Sequence, residues 1–251
     1  MNLFNVHPLT YFVIFLAFFT GKIREIFVFL ALIVIHEYGH FLACKMFKWN
    51  VDKIYIYPFG GMCKSNEMIN KSLNEELLIL VMGPLFQIIF AFLFKSIPNV
   101  LLYNYFLLSF NLLPIYPLDG GRILCNIFMR IFPYKKSLKY SIYLSYLFLL
   151  ITIFCISNYI IVYVSFFFLI NKVIDENKNV NYYFNKFLLE RYLYHFYFKS
   201  SIKINDICDM YKEKNNLLIS GDLLLNEKKF LENYFVDIEK LFWKWYSHFI
   251  W

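Results

Sequence analysis

The sequence predicts a polytopic, mainly α-helical membrane protein of about six transmembrane helices. A small membrane-associated β-hairpin and a small cytoplasmic α/β tail domain complete the expected fold. Three observations lead there. Hydrophobic residues make up 60% of the 251 residues and charged residues only 17%, against about 25% charged in an ordinary soluble domain. The apolar residues are gathered into runs rather than spread along the chain, and mean hydropathy is +0.51. The net charge of +7 comes from basic residues beside those runs, as the positive-inside bias of membrane proteins produces. No basic stretch is long enough to follow a phosphate backbone, so the expected partner is a lipid bilayer and not nucleic acid.

The expected spans are Leu9–Gly21, Ile26–Phe47, Leu73–Phe94, Asn99–Pro114, Ser137–Ser157 and Tyr159–Ile170. The first, fourth and sixth are shorter than the roughly 20 residues that cross a bilayer without help. With alternating sides, one side receives the Cys44–Ser72 loop (Lys45, Lys48, Lys53, Lys64, Lys71) and the Leu118–Lys139 loop (Arg122, Arg130, Lys135, Lys136, Lys139). The other receives only Lys22, Arg24 and Lys95. That asymmetry puts both loops and both termini in the cytoplasm. Within the first loop, Val51 to Gly61 alternates polar and apolar residues and then turns at Pro58 and Gly60–Gly61, which predicts a strand or hairpin. From Lys172 onward charged residues and Asn recur every few positions and no run could span. The expected division is a membrane domain over 1–171, a linker over 172–194 and a small soluble domain over 195–251.

The second apolar run contains His36-Glu37-Tyr38-Gly39-His40, an H-E-x-x-H pattern. On a helix, residues four apart share a face, so both imidazoles can bind one metal ion while Glu37 acts as base on a water. Two histidines and a glutamate inside an apolar segment are costly to bury, and intramembrane ionisable groups are functional candidates by default. Zinc needs a third protein ligand. The candidate is Asp119, in the Asn111-Leu-Leu-Pro114-Ile-Tyr-Pro117-Leu-Asp119-Gly-Gly-Arg122 segment. There two prolines break the helix, and the fourth span returns to the depth at which the second carries its histidines. Five scattered cysteines form no C-x-x-C pair, so neither a disulfide framework nor a structural zinc cluster is expected.

These two motifs together resemble the site-2 protease family of intramembrane zinc metalloproteases, and the resemblance runs from about Leu9 to Ile170. It implies one Zn²⁺ held by His36, His40 and Asp119, with Glu37 as catalytic acid/base and Asn111 as the residue that holds the substrate strand. It further implies that the hairpin at Tyr57, Phe59, Gly60 and Gly61 contacts substrate. The short Cys44–Ser72 loop leaves no room for the PDZ domain inserted in many members. A compact form with a cytoplasmic tail is most similar to the sporulation branch of the family. That branch implies the membrane-associated pro-form of a sigma factor as substrate, and membrane inhibitor or activator proteins as partners. It also implies a CBS-type tail module that engages substrate and senses ATP; here Ser201–Cys208 and Leu217–Ser220 match it only in short, degenerate stretches. The same chemistry on an anti-sigma factor is the first alternative. A metal-binding transporter or assembly factor that cleaves nothing is the second, and a transporter would favour internal repeats that this sequence lacks. Gly83-Pro84 with Gln87 reads as ordinary helix packing in preference to a kink beside the site; Asn104 and Asn111, seven apart, share a helix face, and Asn111 is the preferred site residue.

Overall fold

The computed structural model describes residues 4–57, 60–65, 67–155, 160–194, 196–220 and 223–235. Two helices in it are long and apolar enough to cross a membrane: α2, Ile23–Met46, and α3, Leu73–Leu93. At 1.5 Å per residue the 24 residues of α2 rise about 36 Å, more than the roughly 30 Å hydrocarbon core. The helices α1 (Pro8–Phe19) and α4 (Val100–Asn111) have 12 residues each and rise only about 18 Å. The helix α3 starts at Ser72, whose hydroxyl accepts the Asn74 N–H, with Glu75 and Glu76 in its first turn. Cap and acidic first turn both satisfy the positive N-terminal end of the helix.

The segment expected to be the Leu118–Lys139 loop instead holds a helix, α5 (Asp119–Ile131), and the first turns of α6 (Tyr134–Cys155). Its apolar residues recur with helical period but are interrupted by Asp119, Arg122, Asn126 and Arg130, so hydropathy alone passes over it. The helix α5 buries Cys125, Asn126 and Met129 and exposes Ile127 and Ile131. The α6 helix carries Ser137, Ser141 and Ser145 at i, i+4, i+8, and each hydroxyl donates to the carbonyl four residues back. Polar groups buried in an apolar segment are satisfied in this way without a partner helix.

The long helix α7 runs unbroken over Ile160–Leu193, through the stretch that composition marked as a linker. Val173, Val180, Phe184, Phe187 and Leu188 on it join one core with Leu138 and Ile142 of α6 and with Ile204, Met210, Leu218 and Leu231 of the tail. The tail sheet has the order β4-β5-β6, with β4 (Ser201–Ile204) parallel to β5 (Asn215–Ser220) and β5 antiparallel to β6 (Leu223–Asn226). Residues 227–235 are helical.

The expected hairpin is present as β2 (Val51–Tyr57) and β3 (Gly60–Ser65), antiparallel with Tyr57 opposite Gly60. No pattern in the chain announces β1 (Phe4–Val6), which pairs parallel with β2. Three residues carry no periodicity of their own, and only the edge of β2 selects them as strand. The order β1-β2-β3 leaves β3 as an edge strand among the described residues.

Candidate metal centre

The helices α2 and α3 pack antiparallel: His36 meets Gln87 near the end of α3, and His40 meets Ile79 nearer its start. The i, i+4 spacing puts the two imidazoles on this one face, ring centroids 4.8 Å apart. Both rings are buried, as is Glu37. Asp119 reaches them from the first residue of α5, where the helix N-terminus favours a carboxylate.

Three atoms converge. His36 Nε2 and His40 Nε2 lie 3.1 Å apart, and Asp119 Oδ2 lies 2.8 Å from the first and 3.3 Å from the second. Zinc bonds of about 2.0–2.1 Å in a tetrahedron place neighbouring ligand atoms roughly 3.3–3.4 Å apart, close to this triangle. The far side of each ring is spoken for. His40 Nδ1–H donates to the Ile79 carbonyl at 2.7 Å, and His36 Nδ1–H donates to Gln87 Oε1 at 2.8 Å. A backbone carbonyl can only accept, so in neutral imidazoles the protons sit on Nδ1 and both Nε2 lone pairs face Asp119. Three electron-rich atoms within 3.3 Å of one another repel unless a cation or proton lies between them, and the donor set suits Zn²⁺. His36, Glu37 and His40 also form a potential ligand cluster, with one atom of each within 4.8 Å of the others.

Two glycines allow the close approaches that build this centre. A Cβ on Gly83 of α3 would collide with the His40 imidazole at Nε2. A Cβ on Gly61 of β3 would lie 2.6 Å from Glu37 Oε1, so the edge strand passes directly over the glutamate.

The structure thus brings together His36, Glu37, His40, Asp119 and Gly61. Gly60 stands one residue away in β3, at φ +158. Tyr57 ends β2 opposite Gly60, and Phe59 lies outside the described residues. Asn111 is buried at the last residue of α4. Gln87, read from sequence as packing, and Asn104, ranked there below Asn111, both adjoin the site: Gln87 Nε2–H donates to Asn104 Oδ1 at 2.9 Å and to its carbonyl at 3.2 Å. The available signal was that Gln87 is the only polar side chain from Leu77 to Leu93, and a lone amide in an apolar run needs partners.

A helical His-Glu-x-x-His pair closed by an aspartate from a second element is the architecture of a metal-dependent peptidase. Comparison with known proteins gives the same class. The sequence model of Peptidase family M50 matches residues 25–101 and 96–154, and the chain belongs to this family; it is a zinc metalloprotease. It is 30% identical over 263 residues to the stage IV sporulation protein FB of Bacillus subtilis, covering 93% of this chain and 91% of that protein. It is 34% identical over 122 residues to a zinc metalloprotease of Methanocaldococcus jannaschii, covering 43% of this chain and 35% of that protein. The solved site-2 protease of the same archaeon shares the fold, with a TM-score of 0.55 at 24% identity over 69% of this chain and 89% of that chain.

Proposed function

We propose that this protein is an intramembrane endopeptidase in which His36, His40 and Asp119 hold one zinc ion and Glu37 is the catalytic acid/base. The observation that carries this reading is the triangle of Nε2, Nε2 and Oδ2 atoms with Glu37 beside it and β3 passing across. Zinc, when bound, supplies Lewis acidity toward the scissile carbonyl and toward water. Glu37 takes the proton from the attacking water and returns it to the leaving amine. Its burial beneath Gly61 keeps bulk water from competing for that proton.

The substrate enters as an extended strand. A helical segment hides its carbonyls in hydrogen bonds and must unwind before attack, and an added strand on the β3 edge gives the unwound backbone new partners. Pairing there draws the chain past Glu37, with Tyr57 and Gly60 flanking it and Asn111 holding the strand from the end of α4. The substrate is a membrane-associated protein, and the pro-form of a sporulation sigma factor is the leading identity. The support is the relative named as a sporulation protein, matched over nearly its whole length. The topology that fits the ten-to-three split of loop basic residues is six spans with both termini cytoplasmic. Residues 1–171 then form the protease domain and residues 195–251 a cytoplasmic domain.

The test is co-expression of the chain, or its Glu37→Gln variant, with a tagged membrane-associated pro-sigma factor. Shortening by wild type alone supports both protease and substrate class. Shortening of an anti-sigma factor in its place keeps the chemistry and replaces the substrate. Equal shortening by both forms overturns the role of Glu37.

A further inference from the structure

We infer that Gln87 and Asn104 form a positioning relay that fixes the tautomer and ring orientation of His36, an inference that rests on the reading of His36 as a metal ligand. The two histidines are held in different ways. His40 gives its Nδ1–H to the backbone carbonyl of Ile79, a partner that no side-chain substitution removes. His36 gives its Nδ1–H to a side chain, Gln87 Oε1. Gln87 is fully buried, at 0% exposure, and is the only polar side chain from Leu77 to Leu93 of α3. Its amide nitrogen donates both to the carbonyl and to Oδ1 of Asn104.

The orientation of the Gln87 amide is dictated and not free. The Asn104 carbonyl can only accept, so the NH₂ group of Gln87 must face it. Its oxygen is thereby turned to His36, which keeps the proton on Nδ1 and the lone pair on Nε2, the atom that faces His40 and Asp119. The relay crosses three helices: Asn104 on α4, Gln87 on α3 and His36 on α2. Outer partners of metal-binding histidines act in this way on ligand basicity and orientation, and their loss typically weakens metal binding about 10–100-fold.

The test uses the purified full-length chain in detergent, with zinc affinity read by competition against a chromophoric chelator and folding read by melting temperature. Gln87→Met keeps length and burial and removes the acceptor; the expected result is zinc affinity weaker by about 10–100-fold with folding retained. Gln87→Glu keeps an oxygen that accepts the same N–H, and restores affinity close to wild type. Asn104→Leu removes Oδ1 but keeps the backbone carbonyl that also accepts from the amide, so Gln87 is oriented by one bond in place of two, and the loss is smaller. Wild-type affinity in folded Gln87→Met overturns the relay, as does equal weakness of Gln87→Met and Gln87→Glu, which would make the role one of shape. If Gln87→Met does not fold, Gln87→Glu and Asn104→Leu decide by the same ordering. His36→Ala separates the two levels. Unchanged zinc affinity there removes His36 as a ligand, whereas lost zinc there with intact zinc in Gln87→Met removes only the relay.

Discussion

Among the described residues, two buried polar clusters are built on opposite plans. Around Arg191 near the end of α7, every charge is answered. Its Nε donates to Asn70 Oδ1, Nη1 to both oxygens of Glu227 and Nη2 to the carbonyls of Tyr211 and Lys212. The rings of Phe187, Phe196 and Phe198 cover its guanidinium plane. The neighbouring Glu190 accepts from the backbone N–H groups of Ile69 and Asn70. Lys212 pairs with Glu76, and Glu213 accepts the Leu73 N–H at 2.7 Å, so the tail grips the first turn of α3. At the metal centre the outer atoms of both histidines are satisfied, yet Nε2, Nε2 and Oδ2 are turned toward one another. A saturated cluster holds parts together. A cluster whose lone pairs converge on one point is built to hold something else.

His36→Ala tests that contrast hardest. It removes one corner of the triangle, and the expected outcome is loss of both zinc, measured by metal analysis of purified protein, and substrate cleavage. Glu37→Gln is expected to keep zinc and fold while lowering turnover about 10²–10⁴-fold, the usual worth of a positioned acid/base. On the saturated side, Arg191→Leu removes the cation from the half-buried Glu227 carboxylate, which is left with its Asn216 donors, and takes the guanidinium donor from the carbonyls of Tyr211 and Lys212. A loss of about 3–5 kcal/mol is expected, read as a lower melting temperature. Metal bound by the fraction that remains folded should be unchanged, and equal loss of zinc affinity there would erase the distinction between the clusters.

Gly61→Ala sharpens the comparison within the site. The three atoms nearest to the added methyl all belong to Glu37, so reduced cleavage with normal zinc content is expected. The smallest effect concerns Glu176 on α7, beyond the proposed last span. Burial raises its carboxyl above the ordinary value of 4.5, partly offset by the Tyr183 hydroxyl that donates to it at 3.0 Å. A raised folded-state value means the folded form binds the proton more tightly. Its contribution to stability is therefore fully present below pH 4.5 and declines as pH rises through the raised value. Glu176→Gln should flatten that decline in melting temperature against pH.

Much of the site was legible in the chain. The His36–His40 spacing places both rings on one helical face by geometry alone, and helix-breaking prolines ahead of Asp119 announce a turn at membrane depth. The hairpin over Val51–Gly61 followed from its period of two. The helix α5 was not legible as one, because Asp119, Arg122, Asn126 and Arg130 interrupt its apolar residues, and helical period without high hydropathy does not read as a span. Nor was β1, which exists only because β2 offers it an edge.

The sequence by itself therefore determined the class of solvent, the metal-binding residue types and the hydrophobic segments, all of which depend on local composition and spacing. Only the tertiary structure decided which buried amide meets the His36 ring and which is packing. Gln87 and Asn104 are 17 residues apart, and Gln87 is 51 from His36, so no local rule relates them. It also decided that α7 would run on as helix from the last apolar run into the tail. Residues 172–193 are polar enough for a linker, but packing Val180, Phe184, Phe187 and Leu188 against α6 and the tail core outweighs the entropy of ordering them.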